Sequence, residues 1–148
     1  MPIPPSHAIT VAIYNTLAND ATLKTLLPDG IWLTYALPLS ATTPRTRFGI
    51  VDLVPLIARD LPVFGHRAIE ERQYIVKAVL RDLSPVNANQ AAQRINELLE
   101  DVPIPATGYT WQTGHRLWPI ETVEADSADP KLAWQHRGGY YRVAYAVN

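Results

Sequence analysis

The alternation of apolar and polar positions is clearest in the last third of the chain. It predicts two long antiparallel strands, Thr107 to Ala125 and Ala133 to Val147, separated by a polar turn over residues 126–130. In the second strand Tyr140 and Tyr141 point to opposite faces, because successive side chains alternate across a strand. A hairpin of two strands is marginal on its own, so this pair needs more sheet, a helix or another copy of the chain to cover it.

Helical spacing marks the first thirty residues. Apolar side chains at Ile9, Ile13 and Leu17 recur at intervals of four and predict a first helix. Asp20 is placed to cap a short second helix, which ends at the proline, aspartate and glycine of residues 28–30. The chain therefore opens with two helices joined by a tight break.

The middle of the chain mixes strand patterns with irregular segments. Strands are predicted at Ile31 to Leu37, Arg47 to Val54 and Ile69 to Leu80, the last of them central because neither of its faces is strongly polar. Pro38 to Pro44 is predicted to be a polar loop. Leu56 to Arg67 contains proline and glycine and has no apolar period, so we expect an ordered excursion or a mobile loop there.

A third helix follows Ser84 and Pro85, which suit a capping serine and a proline at the first helical position. Its apolar side includes Ile95, Leu98 and Leu99, and burial of each stabilises the fold by about 1.5–3 kcal/mol. No strand–helix–strand alternation is present. We therefore expect one α+β domain over residues 1–148, with an antiparallel sheet, helices packed on one of its faces and a long C-terminal hairpin.

Composition excludes several classes of protein. Thirteen lysines and arginines against 14 aspartates and glutamates give a net charge of −1, which argues against long-range attraction to nucleic acid. The chain has no cysteine, which excludes disulfides and thiolate metal sites and makes a reducing cytoplasmic compartment the simpler expectation. No segment is expected to act as a signal peptide or to cross a membrane.

Side chains capable of chemistry do not form a recognisable catalytic or metal motif. His115 and His136 lie on the two C-terminal strands, which together form a two-stranded ribbon, and could be cross-strand neighbours. A metal site with the carboxylates of this C-terminal ribbon is therefore conceivable. Surface or interface histidines are the simpler interpretation, because no ligand spacing is present. Gly138 and Gly139 predict a bulge or bend rather than a phosphate loop. We expect no catalytic residue, no cofactor and no metal.

Aromatic side chains concentrate in the C-terminal strands and fall on both of their faces. Helices on one side cannot cover both faces, so we expect the second face to meet a partner. The candidate interface residues are Trp111, Trp118, Trp134, Tyr140, Tyr141 and Tyr145.

Arginines flank the second strand and the irregular segment that follows it. As a functional hypothesis, Arg45, Arg47, Arg59 and Arg67 form a basic rim near a polyanion such as DNA in a channel. We favour the simpler interpretation of ordinary solvated charge, since acidic residues are interleaved with these arginines.

The opening of the chain, Ile13 to Leu27 followed by Asp29 to Trp32, resembles the start of tail-completion proteins of long-tailed phages. These proteins are also called tail terminator or head–tail joining proteins. Members begin with a helix pair of the pattern a-i-x-x-x-L-x-x-D-x-x-L-x-x-L, then a glycine and a strand. Tyr74 to Leu80, the helix that ends at Leu99, and His136 to Val143 are similar to later parts of the family's pattern.

This resemblance implies a structural virion protein rather than an enzyme. It implies a ring, usually a hexamer, that caps the tail tube, meets the head connector or neck protein, and lets DNA pass through its lumen without sequence-specific binding. Such a ring would be assembled in the host cytoplasm and located in the tail or neck of the virion. The alternative is a small dimeric α+β barrel that binds an apolar ligand or acts as a cofactor-independent oxygenase, with a closed pocket near His115 or His136.

Overall fold

The structure is a computed structural model that describes residues 5–33, 45–54, 59–63 and 66–148. Its helices and strands, in chain order, are α1 (Pro5–Ala18), α2 (Ala21–Leu26), β1 (Ile31–Leu33), β2 (Arg47–Leu53), β3 (Arg59–Val63), β4 (His66–Asp82), α3 (Val86–Leu99), β5 (Tyr109–Ala125) and β6 (Ala133–Val147). The predicted loop from Pro38 to Pro44 lies outside the described residues. In the described part of the chain, no helix is long and apolar enough to span a membrane.

The strands form one six-stranded sheet in the order β1-β2-β4-β6-β5, with β3 paired to the first part of β4. All pairs are antiparallel except β1 and β2, which run parallel. The predicted α+β class, with its long C-terminal hairpin, is confirmed. The parallel pair departs from the expected antiparallel sheet, and parallel neighbours need a crossover rather than a tight turn between them.

The three helices cover one face of the sheet. On β4 this face carries Tyr74, Val76 and Leu80, all at most 1% exposed, and α3 packs across β4 and β6. We call this side the core face. The rest of the core comes from helix and strand side chains that share it: Ile9, Ile13, Leu17, Leu23, Leu27, Val51, Ile95, Leu99, Tyr141, Val143 and Tyr145.

Asp20 holds the short helix α2 to α3. Its carboxylate accepts the Leu23 backbone N–H (3.0 Å), as expected of a helix cap, and Arg94 of α3 binds the same carboxylate at 2.6 and 3.1 Å. The hydrogen bond from Arg94 keeps the pKa of Asp20 below its usual value. The predicted break between the first two helices is therefore also a packing contact.

The segment expected to be an excursion or loop, Leu56 to Arg67, contains a strand instead. Within it β3 pairs antiparallel with β4, and the register shifts between Leu61 and Pro62. A proline is tolerated there because β3 is an edge strand with an irregularity at that point. The interrupted apolar pattern therefore concealed an edge strand.

Gly138 and Gly139 lie in a regularly paired part of β6, so the predicted bulge at these glycines is wrong. A Cβ on Gly138 would collide with the backbone of β4, at the Val76 carbonyl oxygen and at Lys77 Cα (2.5 Å). These glycines let neighbouring strands approach closely. The bulges lie in β5, between Trp111 and Thr113 and between Arg116 and Trp118.

Candidate assembly surface

The second face of the sheet, which we call the open face, is not covered by any helix among the residues described. Strand alternation and the pairing registers place on it Trp32, Phe48, Ile50, Ile75, Lys77, Val79, Arg81, His115, Trp118, Glu124, Trp134, His136, Tyr140 and Arg142. Most of these side chains are half-buried by their neighbours on the same face. The open face is thus a mixed aromatic and polar surface.

Trp118 and Tyr140 form the aromatic centre of this face near the edge of the sheet. They are directly opposite each other on β5 and β6, with ring centroids 4.9 Å apart and planes at 39°. Trp118 keeps 50% of its surface exposed. Trp134, farther along β6, lies on the same face opposite Arg81. These three predicted interface residues remain available to a partner.

The other predicted interface residues belong to the subunit's own interior. Tyr141 is 1% exposed and donates its hydroxyl to Asn96 Oδ1 on α3 (3.0 Å), and burial raises its pKa to about 12. Tyr145 is fully buried and donates to the Ile104 carbonyl (2.9 Å). Trp111 is half-buried against the same core. Of the six candidate interface residues, Trp118, Trp134 and Tyr140 therefore lie on the open face, and the other three lie on the core face.

A polar cluster of Lys77, Glu124 and His136 lies within the open face. Lys77 Nζ is 3.1 Å from His136 Nδ1, and His136 Nε2 is 3.6 Å from Glu124 Oε1. Burial, followed by the charge of Lys77, lowers the pKa of His136, so the ring is neutral at pH 7 and its Nδ1 accepts from the lysine. Sequence reasoning missed this cluster, because its members lie on three different strands.

His115 and His136 are not the cross-strand neighbours that the sequence suggested. His115 pairs with Arg142, whereas His136 pairs with Thr122. The two histidines are therefore separated by about 20 Å along the ribbon, at about 3.3 Å per residue. The position of the hairpin turn is the physical reason, because the register that starts at Ala125 and Ala133 places Thr122 opposite His136, and the bulge between Arg116 and Trp118 changes the partner of His115 by only one residue.

The turn between β5 and β6 is fixed to the sheet by an ion pair. Arg81 binds both carboxylate oxygens of Asp126, at 2.6 and 3.2 Å, and Asp126 also accepts the Ala128 and Asp129 backbone N–H groups. The Arg81 guanidinium, with these backbone donors, lowers the pKa of Asp126 to about 2. The end of the ribbon is therefore held to β4 rather than free.

The second half of β5 is the most exposed part of the ribbon. Between Trp118 and Ala125 every residue except the half-buried Ile120 is exposed, and Val123 keeps 58% of its surface in solvent. The preceding part is covered by the connection from α3, where Arg116 N–H donates to Glu100 Oε2 (2.6 Å). The ribbon therefore offers an uncovered strand end.

Side-chain contacts are described for two of the four candidate rim arginines. The Arg45 guanidinium lies 4.3 Å from the centre of the Trp32 ring, and Arg47 pairs with Asp82 at 3.5 Å. Both lie at the end of the sheet formed by β1 and β2. Arg59 and Arg67 lie on β3 and β4. The rim hypothesis thus has structural detail only for Arg45 and Arg47.

A groove of about 440 Å³ separates α3 from β5. Its walls are mixed, with polar side chains such as Gln93, Asn96 and Arg137 beside the apolar Pro119 and Ile120. Neither His115 nor His136 lines this groove or the two smaller described grooves. The geometry therefore gives no support to the alternative of an apolar ligand pocket beside one of these histidines.

No protein-family model matches the sequence, and no curated protein matches it. A chain from the virion of a native gene transfer agent particle has a similar structure, with a TM-score of 0.69 at 13% identity, over 98% of this chain and 99% of that chain. A second solved chain, whose name gives no activity, matches with a TM-score of 0.54 at 13% identity, over 99% of this chain and 97% of that one. At this identity the likeness shows a shared fold.

Proposed function

We propose that this protein is a structural component of a phage-like particle that forms a ring, with a hexamer as the expected stoichiometry. The ring caps the tail tube and joins it to the head connector or neck protein. The full-length fold likeness to a chain of a gene transfer agent virion supports this class of role. The resemblance of the opening helices to tail-completion proteins supports the same role independently.

The observation that carries the proposal is the uncovered apolar surface of the C-terminal ribbon. Trp118 and Val123 are 50% and 58% exposed on opposite faces of one strand, and Trp118 packs on Tyr140 rather than on a helix. Large aromatic side chains with one free face are enriched at the centres of protein interfaces. The exposed part of the C-terminal ribbon is therefore suited to contact another chain.

A ring follows when identical subunits make a head-to-tail contact whose rotation closes. One face of such a ring would stack on the tail tube and the other on the connector, with DNA passing through the lumen without sequence-specific contacts. Arg45 and Arg47 are the described candidates for rim charge. Neither role requires a catalytic group. We propose that the ring is assembled in the host cytoplasm and is located in the tail or neck of the particle.

The test is to measure the assembly directly. The purified chain is analysed by native mass spectrometry and light scattering over a range of concentrations, alone and with tail tubes, and the particle is imaged by electron cryomicroscopy. We expect a closed ring, six subunits in number, bound at the end of the tube nearest the head. A chain that stays monomeric at every concentration, does not bind tubes and is absent from the neck would overturn the proposal.

A further inference from the structure

A histidine on the open face lies between a cation and a carboxylate. His136 Nδ1 is 3.1 Å from Lys77 Nζ on β4, and His136 Nε2 is 3.6 Å from Glu124 Oε1 on β5. Because a lysine ammonium donates hydrogen bonds and accepts none, Nδ1 is the acceptor, and the neutral ring carries its hydrogen on Nε2. The neutral ring is therefore hydrogen-bonded to Lys77.

The opposite nitrogen of the ring has no such partner. His136 Nε2 is buried and makes no hydrogen bond to any residue described, since 3.6 Å is too long for a hydrogen bond to Glu124. The side chain of Glu124 is 69% exposed, whereas that of His136 is 12% exposed. The carboxylate can therefore move toward the ring, while packing holds the ring in place.

The other charged groups near His136 are bound elsewhere. Arg81, on the same face of β4, binds the Asp126 carboxylate at 2.6 Å. Arg137, the next residue along β6, donates to Asn89 Oδ1 at 3.0 Å and to backbone carbonyls. The lysine and the glutamate are thus the charged side chains that meet the two ring nitrogens.

A glycine leaves space for Lys77 to change position. Gly138 is directly opposite Lys77 in the register of β4 and β6, and the next position across, on β5, is Ile120. Gly138 has no side chain to occupy the open face between these two residues. The ammonium of Lys77 can therefore leave His136 and extend across this position.

We propose that His136 is a proton-operated switch of the open face, which exchanges Lys77 for Glu124 as the partner of the ring. A protonated imidazole donates from both nitrogens, so its Nδ1–H and the ammonium of Lys77 cannot remain 3.1 Å apart. Its Nε2–H gains a carboxylate acceptor when Glu124 closes the gap, because a charge-assisted hydrogen bond is stronger than a neutral one. Acidification therefore releases Lys77 from the ring and adds one positive charge to the open face.

The position of the switch on the pH scale follows from the surroundings of the ring. Burial, followed by the charge of Lys77, lowers the pKa of His136 below its ordinary value of 6.5. Glu124 opposes this shift with a smaller effect, and the charge of Arg137 adds to it. The switch therefore operates on the acid side of neutrality. It is complete within one subunit and does not depend on the proposed ring.

NMR of the full-length chain tests the switch, because the chemical shifts of the two ring nitrogens report both the tautomer and the pKa of His136. Above its pKa, we expect the hydrogen on Nε2 and a nuclear Overhauser contact between the Lys77 Hε protons and the ring. Below its pKa, that contact should disappear. Lys77→Met should raise the pKa of His136, because it removes a neighbouring cation, and Glu124→Gln should lower it, because it removes the carboxylate that binds the protonated ring.

Matched controls distinguish the switch from simple burial. Lys24→Met removes an exposed lysine on α2, and Glu121→Gln removes an exposed carboxylate on the opposite face of β5. Both should leave the pKa of His136 unchanged. Glu124→Gln changes a largely exposed side chain, so it keeps the test available should Lys77→Met fail to fold.

A ring that carries its hydrogen on Nδ1 above the pKa would overturn the switch, as would a Lys77 contact that persists when the ring is protonated. An unchanged pKa of His136 in folded Lys77→Met, or in Glu124→Gln, would also overturn it, because burial alone would then set the pKa. None of these outcomes bears on ring formation, which is tested by the mass of the assembly.

Discussion

Replacing Trp118 by alanine separates a role in assembly from a role in folding. Half of this side chain is exposed, and the covered half lies against Tyr140 at a centroid distance of 4.9 Å. The substitution therefore removes a partly solvated ring pair from the isolated subunit. If the exposed half is covered by a neighbour, a second and separate loss falls on the subunit contact.

Both losses can be worked from the area of the side chain. A buried aromatic side chain covers about 150–250 Å², so the exposed half of a tryptophan offers roughly 100 Å² to a partner. At about 25 cal/mol per Å², covering this area stabilises each subunit contact by roughly 2.5 kcal/mol, or nearly two powers of ten in association. Loss of the covered half removes a similar area from the subunit, so the substitution also costs the subunit roughly 2.5 kcal/mol of burial, with about 1 kcal/mol more for the aromatic pair.

Urea unfolding of the monomer and the concentration dependence of ring formation measure these two quantities. We expect Trp118→Ala to raise the concentration needed for assembly by roughly 50-fold or more. Leu83→Ala is the matched control, because Leu83 is 70% exposed in the turn before α3 and should change neither quantity. Wild-type assembly by the Trp118 variant would refute the reasoning, because an uncovered tryptophan contributes nothing to a subunit contact.

Three further predictions concern the subunit itself. Gly138→Ala should destabilise the fold by about 2 kcal/mol or more in urea unfolding, because the added methyl group meets the β4 backbone. Gly139→Ala should cost less, because its methyl group mainly meets the flexible side chain of Arg116. Tyr141→Phe should lower the unfolding free energy by about 1 kcal/mol and leave the mass of the ring unchanged. A changed ring mass would instead indicate that Tyr141 takes part in the subunit interface. Because the folded pKa of Asp126 is about 2, below its ordinary value of 3.8, its contribution to stability is fully present above pH 3.8 and disappears as pH falls through about 2. The stability difference between wild type and Asp126→Asn should therefore shrink over that range, and a constant difference would contradict the ion pair with Arg81.

Local patterns were sufficient for most of the fold. The cap at Asp20, the third helix and the two C-terminal strands follow from spacing and from short-range chemistry, and the structure confirms them. The predicted start of the third helix is wrong by one position, because the helix begins at Val86 and Pro85, not Ser84, is its N-cap residue. The β6 strand has the predicted bounds, Ala133–Val147. These features depend on neighbours in the sequence, which is why a single chain reveals them.

Features set by neighbours in space were not accessible in the same way. The strand at Arg59–Val63 forms because β4 extends to His66 and offers it a partner. Strand alternation predicts that Tyr140 and Tyr141 lie on opposite faces of the sheet. It does not predict which of these faces the helices cover. The ion pair between Arg81 and Asp126 joins residues far apart in the chain, so no local pattern contains it.

Under the proposed function, two separate tasks would account for the apolar residues on both faces of the β5–β6 ribbon. Tyr141 and Tyr145 bind α3 and the segment that follows it, so they fix the ribbon to its own subunit. Trp118 and Val123 lie beyond the reach of α3 and keep about half of their surface in water. A monomer gains nothing from such side chains on an uncovered edge, and an exposed edge strand risks uncontrolled association unless charge restricts its partner. Glu121 and Glu124 lie on this stretch, and their charge disfavours pairing with the same edge of a second copy.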